Sequence, residues 1–440
     1  SIESRPMGRL FTQKEVEKMV GRSRTTLRKL EDKIKAKIEN GELPENFLPP
    51  MEINANTNRI AGYQFAWVQA LRKEAGTLPW RDPKTDDPFI LSVIQFKGGA
   101  GKTETVSNAA RYLGIVGYRV LVIDMDHQGS CTGSFGYFPD IMFKEKDTVI
   151  PYIKGEKEDL HYAIRKTAWP NIDLIPGCMV LEDFNWAMAQ YAMEAETKEE
   201  KRELYYELRR GIDTVSENYD IILIDSPPSS SINSFEIIAA TDGAIIPIPP
   251  RKHDLASTEQ FLGIAERLTQ VTDEENGQKV EGILSDKEFK FIRFLVTQFV
   301  NEGNRSTNDA DFYKICRGIF GPLCYEKVFR MISNIKEASR NFTTVYEVAM
   351  LLRSLSTHPI PKALIAGLGA CLCISLLALG GELSPEYLGI MAPFGATMVI
   401  LFALPKSPLA QPRNIIGGHF LTACIGVLMS HYMDSTPLML

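Results

Sequence analysis

Seven consecutive residues, Lys97-Gly98-Gly99-Ala100-Gly101-Lys102-Thr103, carry the first recognisable chemistry in this chain. Glycines let backbone N–H groups converge on phosphate oxygens, and a helix starting at such a loop adds the favourable end of its dipole. Lys102 is then suited to neutralise β- and γ-phosphates, and the Thr103 hydroxyl to ligate Mg²⁺. Gly98, Gly99, Ala100 and Gly101, together with Lys102, Thr103 and Glu104, are the residues expected around a nucleotide. A phosphate loop needs only the lysine beside Thr103, so Lys97 calls for a task of its own. Two acidic strand ends extend the set. The run from Val120 to Gly129 contains Asp124 and Asp126, which alternation sends to the same side of the chain, and one of them is suited to orient an attacking water. The run from Tyr219 to Pro228 delivers Asp225 at the end of an apolar stretch, where an acid holds the hydration shell of Mg²⁺. Each piece alone also fits an ordinary turn. Three in this order point to hydrolysis at a phosphate.

These groups need elements to hold them. Phe89 to Phe96 reads as a buried strand leading into the loop, and Thr105 to Val116 has helical character after it. Strands are expected at 89–96, 119–124, 172–175, 220–225, 243–248 and 291–297, with helix-like stretches between several of them. That alternation predicts an α/β fold with a doubly wound, mostly parallel sheet, in which ligands bind at the carboxyl ends of the strands. Ahead of it, residues 11–32 read as helix–turn–helix. Thr12 caps a first helix with Glu15 closing a capping box, Gly21 supplies the turn, and Ser23 caps a second helix. That second helix would present Arg24, Thr25, Arg28 and Lys29 where base edges of DNA are met; a helical hairpin with a solvated basic face is the plainer alternative. Pro49-Pro50 to Tyr63 fits a wing with Arg59 at its tip, Gln64 to Glu74 a further helix, and Asp82 to Pro88 a polar linker. The expected organisation is a winged helix–turn–helix domain over 1–82, a P-loop domain over 83–352 and a membrane-like segment over 353–440.

The chain has 440 residues and a formal net charge of −6, so any contact with nucleic acid must come from a local basic patch. Its seven cysteines are scattered without CxxC spacing, which suits a reducing cytosol and argues against a disulfide framework or a zinc finger. The polar, charged N-terminus shows no cleavable signal, and the first residue, Ser1, reads as that of a processed, trimmed or fragmentary chain. The other end differs. Ala363 to Gly381 and Tyr387 to Leu404 contain no charged residue, and Asn414 to Ser430 is mostly apolar with one histidine, His419. These lengths reach or approach the roughly 20 residues that cross a bilayer as a helix. Arg353 and Lys362 precede the first stretch, Glu382 and Glu386 follow it, and Lys406 and Arg413 separate the second from the third. By the positive-inside rule, about three transmembrane helices follow a cytoplasmic N-terminal part; a set of buried core helices is the plainer alternative.

The residues Lys97 to Thr103, Asp124-Met125-Asp126-His127-Gln128 and Asp225-Ser226-Pro227-Pro228 resemble the ParA/MinD class of deviant Walker A ATPases. The preceding helix–turn–helix, Asp147 to Tyr152 and Ala168 to Pro176 narrow the resemblance to the large ParA/SopA-type partition ATPases, over roughly 8–350. It implies binding of ATP with Mg²⁺, ATP hydrolysis, and a homodimer formed on ATP in which Lys97 reaches the partner's phosphates. In the same terms Asp126 supports hydrolysis and Asp225 is the Walker B acid. The implied partners are operator DNA at the N-terminal domain, nonspecific DNA at a C-terminal basic surface containing Arg330, Lys336 and Arg340, and a ParB-like centromere-binding protein. The implied place is the cytoplasm, on the nucleoid, for 1–352. Two departures stand out: Glu104 replaces a small residue beside the phosphates, and His127 replaces the usual proline of that turn.

The tail, with Pro393-Phe394-Gly395-Ala396 and the run from Ala403 to His419, resembles the first part of the HPP family of integral membrane proteins, which is linked in some members to anion transport. It implies inner-membrane attachment through residues 363–430. Three readings follow. A partition ATPase leads, a membrane protein with a cytosolic regulatory ATPase acting in anion transport comes second, and an autoregulatory DNA-binding protein with slow ATP turnover is third. Iron–sulfur ATPases sharing the loop need bridging cysteines, for which Cys131 and Cys178 are poorly spaced.

Overall fold

The computed structural model describes residues 10–49, 53–54, 59–60, 62–229, 231–272, 279–300 and 304–330. Helix α1 (Gln13–Val20) begins as its sequence dictates: the Thr12 side chain accepts from the Glu15 N–H and Glu15 reaches back to the Thr12 N–H at 2.8 Å. Gly21, at φ +67°, ends it, and Ser23 caps α2 (Arg24–Glu39). The second helix therefore runs seven residues past the expected end at 32, because Ile34 and Ile38 continue the apolar stripe against α3 (Phe65–Ala75), where Lys37 Nζ pairs with Glu74 at 2.8 Å. Between α2 and α3, strands β1 (Ile53–Asn54) and β2 (Arg59–Ile60) pair antiparallel, with Asn54 opposite Arg59. Arg59, expected at the tip of a wing, instead opens β2, and the intervening residues 55–58 lie outside the described set.

The main sheet is built from β3 (Phe89–Val93), β4 (Val120–Asp124), β5 (Arg165–Lys166), β6 (Ile172–Ile175), β7 (Ile221–Asp225), β8 (Gly243–Ile248) and a last strand. Strands β9 (Gln270–Thr272) and β10 (Lys279–Glu281) form a separate antiparallel pair, and β11 (Phe291–Val296) completes the sheet. Its order is β11-β8-β3-β7-β4-β6-β5, parallel throughout except for β5 at one edge. Every residue of β4, β6 and β8 is buried, as in strands covered on both faces.

Alternation along the strands separates two cores. Leu121, Ile123, Ile222, Ile224, Ile246 and Ile248 face one layer, which includes the helices Val180–Glu194, Lys198–Asp213 and Ile232–Ala240. Val120, Val122, Leu223 and Ile245 face the other, which holds α4 (Lys102–Val116). The N-terminal helices pack into that second core. Val16, Val20, Leu27, Val68 and Leu71 join Val106 and Ala110 of α4 in one continuous cluster, and Phe65 meets Trp169 edge-on at 5.7 Å. The six expected strands are thus all present: 172–175 and 243–248 as expected, the other four shorter by one to three residues. The first stops at Val93 because the Gln95 side chain captures the Phe96 N–H at 3.0 Å and ends the ladder. The short edge strand β5 and the β9–β10 pair carry too little periodicity to be anticipated.

Among the described residues no helix is long and apolar enough to cross a membrane, and the three apolar stretches beyond 363 lie outside those residues.

One buried group invites a test of stability. Glu236, on the helix Ile232–Ala240, is fully buried, with neither carboxylate oxygen hydrogen-bonded among the described residues. Burial, with a smaller push from the Glu207 charge, raises its carboxyl to about 8 from an ordinary 4.5. A carboxyl whose folded pKa is raised stays protonated in the native state while the unfolded chain ionises. Its contribution is whole below about pH 4.5 and is lost as pH rises towards about 8. Glu236→Gln should flatten that loss and stabilise the fold at pH 8 by a few kcal/mol, at about 1.4 kcal/mol per pKa unit. Urea unfolding of both proteins from pH 5 to 8 checks this; parallel pH profiles would refute it.

Candidate active site: a phosphate loop against three carboxylates

Register, more than any single side chain, assembles this site. In the parallel pairs β4–β7 and β3–β7, Asp124 sits opposite Asp225 and Val93 opposite Asp225. Three adjacent strands therefore end at one level, and the loop 97–101 springs from the middle of the sheet beside both acids. Gly99 and Gly101 take φ of +69° and +87°, values that side-chain-bearing residues rarely adopt, and Gly101 serves as N-cap of α4. The helix thus starts at Lys102, earlier than the expected 105.

Lys102 is buried at 6 % exposure, and its Nζ donates to the Lys97 carbonyl at 3.3 Å. Burial pushes its ammonium pKa down, while Asp225, Asp126 and Glu104 pull it back up. Thr103 Oγ1 donates to Asp225 Oδ2 at 2.7 Å. The other Asp225 oxygen is buried and lacks a hydrogen-bond partner among the described residues. Burial, reinforced by the Asp124 charge, raises the Asp225 carboxyl well above the usual range. Asp124 accepts from the Thr132 N–H and Thr132 Oγ1, both at 2.7 Å, and from the Asp126 N–H at 3.1 Å; burial nevertheless pushes it up to about 7. Asp126, also buried, accepts from the Gln128 N–H at 3.0 Å and has His127 Nδ1 at 3.5 Å. The His127 ring also lies 3.9 Å from Glu182, so this turn keeps a polar tie to the helix Val180–Glu194 in place of a proline's stiffness.

Lys97, Lys102, Thr103, Asp124, Asp126 and Asp225 are therefore gathered at the carboxyl ends of the central strands β3, β7 and β4. Glu104 is half-buried on the first turn of α4, within electrostatic reach of Lys102. Arg24, Thr25, Arg28 and Lys29 lie elsewhere, exposed along α2 opposite its buried Leu27, Glu31 and Ile34. Arg330 is exposed in a segment bridged to Phe299 beyond β11; Lys336 and Arg340 fall outside the described residues.

Sequence reasoning missed the outer supports. Thr297 Oγ1, just past β11, donates to the Ala100 carbonyl at 2.7 Å, and Gln298 Nε2 donates to the Gly99 carbonyl. Gln298 sits at φ +53°, alone among described non-glycine residues in the left-handed region, and Arg251 reaches its side-chain oxygen at 3.4 Å. Gly177 closes the acidic side. A Cβ there would lie 2.7 Å from the Asp124 carbonyl oxygen and 2.8 Å from that of Asp126. Each of these stands at the carboxyl end of an expected strand, a position that could have flagged them.

A family model for an AAA domain matches residues 89–278, and one for the HPP transmembrane region matches residues 355–440. Protein SopA of Escherichia coli strain K12 is 29 % identical over 357 residues, covering 80 % of this chain and 84 % of SopA. The sporulation initiation inhibitor protein Soj of Bacillus subtilis is 31 % identical over 181 residues, covering 41 % of this chain and 66 % of Soj. The chain is an ATPase similar to the ParA-type proteins. Chromosome partitioning protein ParA of Caulobacter vibrioides is 29 % identical over 181 residues, 41 % of this chain and 62 % of that protein. An apo McdA structure from Cyanothece aligns at 22 % identity with TM-score 0.48, covering 59 % of this chain and 93 % of McdA. The SopA alignment is long enough to require residues outside the AAA match, whereas the Soj and ParA alignments are of about the size of that domain. The ParA-type fold is thus joined in one chain to a segment matching a membrane family.

The Thr297 support is open to test. Thr297→Val keeps the shape and leaves the Ala100 carbonyl without its donor, a loss worth about 1–3 kcal/mol in a buried setting. The variant should unfold at lower urea concentration and bind ATP more weakly by calorimetry; unchanged values for both would remove Thr297 from the loop's support.

Proposed function

We propose that this chain is a DNA-partition ATPase that dimerises on ATP, binds DNA and acts in plasmid or chromosome segregation. The observation that carries the reading is the contact between Thr103 and Asp225, with Lys102 buried beside them at the glycine loop. Lys102 neutralises the β- and γ-phosphates of ATP, and the loop N–H groups take up their oxygens. Thr103 and Asp225 fit Mg²⁺, since both offer hard oxygen donors and one buried Asp225 oxygen is unpartnered. Among the described residues no group of three or more His, Cys, Asp or Glu forms a metal cluster, so phosphate and water oxygens would complete the shell. The ion, when bound, draws charge from the β- and γ-phosphate oxygens. Asp126 orients the water that attacks the γ-phosphorus, giving ADP and phosphate. Lys97, at the mouth of the loop, takes the phosphates of a second subunit.

The exposed face of α2 is suited to a DNA major groove through Arg24, Thr25, Arg28 and Lys29, with 1–82 as the operator-binding domain and 83–352 as the ATPase domain. Arg330, with Lys336 and Arg340, would add nonspecific phosphate contacts. A ParB-like protein would stimulate release, and the similarity to the chromosome partitioning protein ParA of Caulobacter vibrioides supports the partition reading. The ATPase part belongs on the nucleoid. The HPP match favours a second reading, in which 353–440 attaches the chain to the inner membrane and the ATPase regulates anion transport.

Lys102→Ala should abolish ATP-dependent DNA binding in gel-shift or anisotropy assays, while nucleotide-free binding changes little. Full ATP-dependent binding by the variant would sink the proposed mechanism, and anion flux that tracks ATP turnover in vesicles would favour the second reading.

A further inference from the structure

Arg72, on α3, is 4 % exposed, and its guanidinium is met by backbone carbonyls of two other helices. Nε donates to the Met19 carbonyl at 2.9 Å, and Nη1 to the Ile115 carbonyl at 2.6 Å. Met19 lies in the last turn of α1 and Ile115 in the last turn of α4, so one buried cation closes the negative ends of two helix dipoles. Burial lowers its pKa, yet a guanidinium remains charged, and both contacts are needed to offset its lost hydration.

The surroundings are shaped for this contact. Gly117 ends α4 at φ +118°, and a Cβ there would lie 2.9 Å from Arg72 Nη1 and 3.1 Å from Pro79 Cδ. Gln69 donates to the Gly114 carbonyl at 3.2 Å and Trp80 to the Gly117 carbonyl at 3.0 Å, fixing the same end of α4 to α3 and the residues after it. On the other side, Glu74 of α3 pairs with Lys33 and Lys37 of α2, and Arg22 of the α1–α2 turn donates to the Ala75 carbonyl at 3.2 Å. Helix α4 is a rod roughly 22 Å long with the phosphate loop at one end and Arg72 at the other. A displacement of its first turn is carried along the rod to Ile115. Through Arg72 it then reaches Met19, two residues before the Gly21 turn that sets the angle between α1 and α2.

We infer that Arg72 is a positioning residue that links occupancy of the phosphate loop to the setting of α1 and α2. A ligand at either end then alters the affinity at the other by the same factor. The inference rests on the nucleotide reading of residues 97–103.

Hydrogen exchange on the full-length protein, with and without Mg²⁺–ATPγS, tests it. In the wild type, nucleotide should slow exchange at the loop and at the start of α4, and change exchange across residues 13–39 by about fivefold or more, the lower end of ordinary site-to-site coupling. Arg72→Gln should keep protection at the loop and lose the response at 13–39. Arg72→Lys should lose it too, since one ammonium on a flexible stem does not span two helix ends. Gln69→Ala, which removes a hydrogen bond to α4 and leaves the Arg72 bonds in place, should retain it. A protected loop with a silent 13–39 in the wild type would overturn the linkage even where the Arg72 variants fail to fold, as would a response that survives Arg72→Gln. An unprotected loop would bring down the ATPase reading, and the linkage with it.

Discussion

A hydroxyl-to-carboxylate hydrogen bond, Thr103 Oγ1 to Asp225 Oδ2 at 2.7 Å, ties the first turn of α4 to the end of β7. It depends on Asp225 being delivered level with Asp124 and Val93 by the parallel register, and on Gly101 turning the chain into the helix at φ +87°. Three buried carboxylates and one buried lysine within a single strand-end cluster are costly unless their charges offset one another. The opposite shifts of Lys102 downward and Asp225 upward express that strain, and a site of this kind is poised for a ligand bearing several negative oxygens and a divalent cation. Thr297 and Gln298 hold the carbonyls of Ala100 and Gly99 from outside the loop.

Helix α4 connects this chemistry to the rest of the molecule. Its buried face packs on the sheet and on the N-terminal helices in one continuous core, so the boundary expected at residue 82 is a change of chain composition within a shared hydrophobic cluster. A polar linker at 82–88 reads as a hinge, but side chains on both sides of it bury the same apolar surface. Arg81 shows why: its guanidinium donates to the Tyr219 carbonyl at 2.8 Å, locking the linker's start to the strand side of the domain.

The parts legible in the sequence were those with a local signature. Thr12 with Glu15, Gly21 and Ser23 announce their caps within four residues of chain, and the six strands announce themselves as mostly apolar runs. The phosphate loop and its acids were readable because their order and strand context are restrictive. What stayed hidden depends on contacts far apart in sequence. Gly177 has no room for a side chain because the Asp124 and Asp126 carbonyls approach it, Gln298 reaches back 199 residues to Gly99, and Arg72 has two helices ending against it. Beyond their places after expected strands, nothing local sets Gly177 or Gln298 apart from a loop glycine or a polar strand end, and nothing sets Arg72 apart from a solvated helix arginine.

The central claim, that this ATPase completes its site with a lysine from a second copy, is tested most directly by mixing two chains. Lys97→Ala and Asp126→Ala should each be nearly inactive alone while still binding ATP. Mixed in equal amounts, they should recover about a quarter of wild-type turnover: half of the dimers pair the two variants, and each such dimer holds one site with both an intact Asp126 and the partner's lysine. Failure to recover activity, in a mixture shown to dimerise, would place Lys97 at its own subunit's nucleotide and contradict the account.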